Sequence, residues 1–398
     1  MDGIDAALVR LTGLAEHPRV RLLTFVACPY PRAIRQRLLL VAGGDPAAVG
    51  EISQLNFLLG KLFADAALKV CRRGGISPKK VSVIGSHGQT IFHQGRTELS
   101  ARRHEGRTPD SPKNSQPSTL QIAEPAVIAE RTGARVVSNF RTADMAAAGQ
   151  GAPLVPLVDY LLLGDPHQGT VALNIGGIAN ITVIPAGARP GDVIGFDTGP
   201  GNMVIDGLVR EFTRGRKSYD AEGRLAAKGL VLHQILDSIL RLPFFRQPPP
   251  KSAGREQFGA EFVTKYFLKA PRARPQDLLR TATELTAITI ADALARFAFP
   301  VTTVHRLIVA GGGAHNRLLM RRLEYILPHL SVHRSDHFGL PVDAKEAIAF
   351  AVLADRTMHG LHGNLPSVTG ARRKMILGTL TQPCNGSTES ATRQNPIP

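Results

Sequence analysis

Cysteine is scarce in this sequence. Cys28, Cys71 and Cys384 are scattered over 398 residues. An odd, widely spaced set offers neither a disulfide framework nor C-x-x-C metal spacing, so reduced thiols are expected. Long apolar runs are also missing: Leu38 to Ala42 and Ala347 to Ala354 are among the longest, far short of the ~20 residues that span a bilayer. Met1 leads into Asp2 and Asp5, where a secretory signal needs a basic region and an apolar core. A cytoplasmic protein that enters no membrane is the expectation. Aromatic residues are only 5% of the chain, and they do not interleave with the basic ones. That matters because Lys and Arg outnumber Asp and Glu by 48 to 32, a net charge of +16. Arginine spread without aromatic partners argues against a nucleic-acid surface. Such a charge suits anionic small molecules such as ATP or an acidic sugar, and equally reflects arginine-rich coding with no partner at all.

What is present is the profile of a folded globular protein, 43% hydrophobic and 20% charged, long enough for two lobes. Residues 32 to 74 carry helical spacing through Leu38, Leu55, Leu59, Leu62 and Ala66. Val81 to Gly85 reads as a buried strand running into the polar loop Ser86-His87-Gly88-Gln89-Thr90. The stretch 94–118, rich in Arg, Ser, Pro and Gly, reads as a flexible surface insertion. A helix is expected over 126–131 and a short strand over 135–138, entering the loop Asn139-Phe140-Arg141-Thr142-Ala143-Asp144. Thr170 to Ile175 and Ile178 to Ile184 are β-branched runs joined at Gly176-Gly177, a hairpin. A glycine-rich loop, 195–202, precedes a helix from Met203. A long amphipathic helix carries Ala287, Ile290, Ala291, Leu294 and Ala298. It feeds the strand 307–310, the loop Gly311-Gly312-Gly313-Ala314-His315-Asn316 and another helix. This places a first lobe at 1–156, a second at 157–378 and a disordered tail at 379–398.

Each glycine loop alone is weak, because glycine also just relieves backbone strain. Asp144 alone is as readily a turn-capping carboxylate as a catalytic one. Three such loops together, none matching G-x-x-x-x-G-K-[ST], disfavour a P-loop enzyme and fit a split nucleotide cleft. The H-x-x-x-H spacing of His333 and His337 suits a metal only on a helix; Gly339 and Pro341 nearby argue for a loop, and no metal site is assigned.

The ordered segments SHGQTIFH (86–93), TLQIAEPAVIAERTG (119–133), FRTADMAAAGQGAPLVP (140–156), LNIGGIANIT (173–182), GFDTGPGNMVID (195–206), PPKSAGREQFG (249–259), GGGAHN (311–316) and AKEAIAFAVLA (344–354) resemble the anhydro-N-acetylmuramic acid kinase family. The resemblance implies an α/β fold with two ribonuclease-H-like, actin-like ATPase domains flanking an interdomain cleft. It implies ATP and Mg²⁺ as cofactors. It also implies that the 1,6-anhydro ring of anhydro-N-acetylmuramic acid is opened with water and that O6 is phosphorylated, giving N-acetylmuramic acid 6-phosphate. Asp144 falls on the family's catalytic aspartate, a general base. Asp2 and Gly3, Asn174, Gly176, Gly177 and Asn180, Asp197 and Gly199, and Gly311, Gly312, Gly313 and Asn316 fall on the nucleotide side. His87, Arg141 and Glu346 fall on the sugar side. Whether the protein forms a homodimer stays open.

Departures from the family pattern are as informative. The family opens with a strand and a GTS-x-DG phosphate loop; here Met1 stands directly before Asp2-Gly3, so the first strand of domain 1 and the GTS are expected to be missing. Asn139, Ala148 and Ala123 replace a usual Asp and two usual glycines. Either the sequence starts at an internal Met of a longer gene, the reading preferred here because Asp144 and the cleft motifs remain, or the chain is a non-catalytic sugar- or nucleotide-binding pseudokinase.

Overall fold

The computed structural model describes residues 3–14, 16–96, 116–269 and 273–383. Asp2, most of the expected insertion and most of the expected tail lie outside them.

In the first lobe, β1 (Gly3–Thr12) and β2 (Arg19–Pro29) form an antiparallel hairpin. The side chains of β1 alternate between two apolar environments. Ile4, Ala6 and Leu8 face the cores built on Leu59, Ala66 and Val70 of helix α2 (Val49–Arg73), which follows α1 (Arg32–Ala42). Ala7, Val9 and Leu11 face the opposite core. A strand covered on both faces has the composition of a sheet interior. The paired part of the strand expected at 81–85 is only β3 (Ile84–Gly85). Next come the antiparallel strands β4 (Gln89–Gln94) and β5 (Ser118–Ile122), helix α3 (Pro125–Thr132), β6 (Val136–Ser138) and α4 (Thr142–Ala146). The β3 ladder is short because its parallel partner β6 begins only at Val136.

The second lobe follows α5 (Val155–Leu163) and holds one five-stranded sheet, with β7 (Thr170–Ile175), β8 (Ile178–Ile184), β9 (Ile194–Pro200), β10 (Arg306–Ala310) and β11 (Ser331–Arg334) in the order β11-β10-β7-β8-β9. The first three strands run antiparallel in succession, and β10 and β11 lie parallel to β7 and to each other, which is the expected ribonuclease-H-like sheet. The hairpin 170–184 is as the sequence indicated. Helix α6 (Met203–Phe212) starts where the loop before it predicts. The long helix, α7 (Pro275–Phe297), begins well before Ala287, because Pro275 takes the first helical turn, where its missing N–H costs nothing. After β10 come α8 (Arg317–Ile326), α9 (Lys345–Met358) and α10 (Pro366–Thr369).

The chain then returns to the first lobe. Helix α9 lies against both β1 and β3 as well as α5. Its Ile348 and Leu353 share a core with Val137 and Phe140 of the first lobe and with Ala172 and Ile308 of the second sheet. Thr379–Thr381, read from sequence as the start of a tail, forms β12, antiparallel to β6. Among the described residues no helix is long and apolar enough to cross a membrane.

Candidate functional site between the lobes

The nucleotide-side glycines are placed by strand ends. β7 turns through Gly176-Gly177 into β8, and the tip is tied to the start of α6: the N–H groups of Asn202 and Met203 donate to the carbonyls of Gly176 (2.8 Å) and Gly177 (3.0 Å). Gly311, after β10, holds φ +80°. A Cβ there would meet the Asn174 side-chain oxygen at 2.7 Å and the Ile175 carbonyl at 2.8 Å, so only glycine lets the third loop close on the hairpin. Gly312 and Gly313 open a short 3₁₀ turn. First-turn amides have no carbonyl within the turn to donate to, and so are available to an anion.

Across the sheet, Asn174 pairs with Asn180, and Asn180 with Asp197, so three polar side chains stand in a row on one face. Burial pushes the Asp197 carboxyl up to about 7, and Glu256 adds to the rise; the Ala253 N–H (2.8 Å) and the Lys251 ammonium pull the other way. Gly199, at φ +147°, packs its backbone against Phe245 and Thr289. Asn316 is otherwise engaged. It is the N-cap of α8, its side-chain oxygen accepting the Leu319 N–H at 3.1 Å.

On the first-lobe side His87 and Arg141 form a fixed pair. The His87 Nδ1 lies 3.0 Å from the Gly88 carbonyl, and its Nε2 lies 3.1 Å from the Arg141 Nε–H. A carbonyl only accepts and a guanidinium only donates, so the ring is neutral, with its proton on Nδ1. Burial, and next the Arg141 charge, push its pKa down to about 3. Both ring nitrogens are therefore committed inside the protein. His87 holds Arg141 in place and has no hydrogen-bonding atom left for a sugar hydroxyl. Burial also lowers the Arg141 pKa, with Glu346 opposing. Glu346 is exposed on the first turn of α9.

Asp144, in α4, has no exposed surface (0%). Its Oδ1 accepts from Asn364 Nδ2 (2.7 Å) and Thr369 Oγ1 (2.6 Å), and its Oδ2 from the Gly151 N–H (2.8 Å). Arg141 donates to the Gly151 carbonyl at 2.9 Å. Asp144 is thus fully enclosed and is tied to Arg141 through Gly151.

A cavity of about 1150 Å³ brings much of this together: Gly3, His87, Asn174, Gly176, Gly311 and Gly312 line it, with Glu346 and Lys345. Asp144, Arg141, Gly177, Asn180, Asp197, Gly199, Gly313 and Asn316 are not in its lining. Asn364 and Thr369, the last residue of α10, were missed from sequence, since nothing local marks residues more than 200 positions from Asp144 as its partners. The buried ion pair of Lys345 with Asp159 (2.6 Å) was missed too. Its signal was present in a lone Asp inside the apolar run VPLVDYLLL.

A family model described as anhydro-N-acetylmuramic acid kinase matches residues 1–383. A protein of Caldanaerobacter subterraneus subsp. tengcongensis with that name is 42% identical over 382 residues, 96% of this chain and 94% of the relative. One from Bacillus cereus is 41% identical over 385 residues, 96% and 97% of the two chains. Among solved structures, a PilM–PilN type IV pilus biogenesis complex aligns with TM-score 0.41 and 13% identity, covering 88% of this chain and 96% of the other.

Proposed function

The chain belongs to the anhydro-N-acetylmuramic acid kinase family, and on that premise we propose that it is a kinase of amino-sugar recycling that uses ATP to open the 1,6-anhydro ring of anhydro-N-acetylmuramic acid and phosphorylate O6. The observation that supports this most is the single cavity lined by glycine-loop backbone from the second lobe and by His87 and Glu346 on the other side. Phosphates fit against Asn174, Gly176, Gly311 and Gly312, where glycine lets amides approach closely. Mg²⁺, when bound, would neutralise phosphate charge. Asp197, at the end of the polar row that begins with the cavity-lining Asn174, is the carboxylate that would steer it through water.

On the sugar side, Arg141 is the charge-assisted donor for the lactyl carboxylate, and His87 fixes its direction. Asp144 is the base: it takes a proton from the water that attacks the anomeric carbon, the bond from that carbon to O6 breaks, and O6 attacks the γ-phosphorus as the bond to the β–γ bridging oxygen breaks and ADP leaves. Because Asp144 is fully buried and does not line the cavity, this reading requires its surroundings to open when the sugar enters.

The test is incubation of the protein with 1,6-anhydro-N-acetylmuramic acid, ATP and Mg²⁺, scoring the ring-opened 6-phosphate. Turnover that is lost in Asp144→Asn supports the reading. No turnover from folded protein that still binds nucleotide replaces it with the non-catalytic alternative.

A further inference from the structure

The cavity between the lobes is short of positive charge. Among the described residues that line it, Lys345 is the only Lys or Arg, while Asp5, Asp343 and Glu346 add carboxylates to the same lining. His87 lines it as a neutral ring, and Arg141 is outside the lining. A polyphosphate that enters therefore depends, beyond the metal it carries, on the glycine-loop amides and on this one ammonium for its counter-charge.

Lys345 is held in place from two directions. It opens α9, and the loop ahead of that helix is fastened to the third glycine loop: the Gly311 N–H donates to the Val342 carbonyl at 3.4 Å, and the His315 Nε2 lies 2.9 Å from the Asp343 Oδ1. Its side chain is buried, with the ammonium 2.6 Å from the Oδ1 of Asp159 in α5. Asp159 is buried too, and its Oδ2 accepts the hydroxyl of Thr182 in β8 at 3.0 Å. Such a pair is a poor source of stability, because desolvating two charges takes back most of their attraction. What it does fix is direction. An ammonium carries three N–H donors, and the contact with Asp159 engages it from the second-lobe side while Lys345 also faces the cavity.

We propose that Lys345 is a phosphate-binding residue of the cleft, which donates to a terminal phosphate oxygen of a nucleotide lying against Gly176, Gly311 and Gly312. The identity of the anion rests on the kinase reading above. Asp159 touches the ligand only through Lys345 and is a positioning residue.

The experiment is equilibrium binding of ATP, ADP and adenosine by calorimetry, with Mg²⁺ and without sugar. The parent is compared with Lys345→Met, with Asp159→Asn and with the double variant Lys345→Met, Asp159→Leu. The double variant replaces the buried ionic pair by an apolar one, which folds commonly tolerate, so it carries the test if Lys345→Met alone does not fold. Without the ammonium, ATP is expected to bind about tenfold or more weakly, ADP to be affected by a smaller factor and adenosine to be unchanged. Asp159→Asn should show the same order with smaller losses. Equal losses for adenosine and ATP would make the pair a structural pin and overturn the proposal. So would unchanged ATP binding, weakened binding of the anhydro sugar alone, or a parent that binds ATP no better than adenosine. No turnover is read, so a failed kinase assay beside a charge-dependent loss of ATP leaves the proposal standing, and turnover beside unchanged ATP binding removes it alone.

Discussion

The Nε–H of Arg141 points at the Nε2 of His87 from 3.1 Å, while the other nitrogen of that ring faces the Gly88 carbonyl. The pair leaves the imidazole no room for a second proton. Its folded pKa, about 3, lies below the unfolded value of about 6.5. As pH falls through 6.5 the unfolded chain takes up a proton that the folded one refuses, so stability present above 6.5 is lost progressively down to about 3. His93, pushed down to about 4 chiefly by burial, acts in the same direction. The expected slope from His87 is about 1.4 kcal/mol per pH unit. In His87→Gln the acid slope of urea unfolding, followed from pH 6.5 to 4.5, becomes shallower by about that amount. An unchanged slope would show that the ring titrates normally.

Ala148 and Ala123, where the family resemblance leads one to expect glycine, both hold a positive φ. Their φ angles are +71° and +146°, a region that strains any residue with a Cβ. Ala148→Gly relieves ~1–2 kcal/mol of strain, partly offset by the greater freedom of glycine in the unfolded chain. A net gain of about 0.5–1 kcal/mol is expected, read as a rise in the denaturation midpoint. Asn139, at φ +54°, needs no such change, since Asn tolerates that conformation. A loss of stability in Ala148→Gly would mean the loop is not strained as drawn.

Those alanines mark what was legible in the sequence. The hairpin 170–184 and the glycine loops could be read because β-branched runs and glycines leave a local signature. β12 could not: Thr379–Thr381 is three residues, two of them exposed, and becomes a strand only because β6 offers an edge. Asp144 was found through its motif, but its hydrogen-bond partners Asn364 and Thr369 come from a return of the chain that no local pattern announces. The commitment of both His87 nitrogens depends on Arg141, 54 residues away, which a motif cannot express.

Asp144 accepts three hydrogen bonds, so its replacement carries a structural cost besides a chemical one. In Asp144→Asn one amide N–H₂ must face a donor, at a cost of about 1–3 kcal/mol. Turnover is expected to fall by about 10²–10⁴-fold with loss of the base. Thr369→Val separates the two effects. It removes one donor to Oδ1, lowers the unfolding midpoint by the equivalent of about 1 kcal/mol, and leaves most of the turnover. If Thr369→Val were as inactive as Asp144→Asn, Asp144 would be acting as a structural anchor.

Asp197 ends the polar row begun by Asn174 and Asn180, and its titration reaches both stability and chemistry. Its carboxyl is raised to about 7, chiefly by burial, from an unfolded value near 3.9. Ionising it in the fold is therefore a penalty absent below about pH 4, growing up to 7 and constant above. Asp197→Asn keeps an oxygen for the Ala253 N–H and removes that penalty. The variant should be more stable than the parent at pH 8, by on the order of 1–3 kcal/mol after allowance for partial solvation, and no more stable at pH 4. Chemistry moves the opposite way. As a carboxylate steering Mg²⁺ through water, Asp197 gives kcat/KM an acidic limb with an apparent pKa near 7, shifted downward as Mg²⁺ approaches saturation because the cation favours the ionised form. Measuring kcat/KM from pH 5.5 to 8.5 at two Mg²⁺ concentrations checks this. A limb that persists unchanged in Asp197→Asn, or ignores Mg²⁺, would leave Asp197 as a loop-bracing residue that holds the backbone at Ala253.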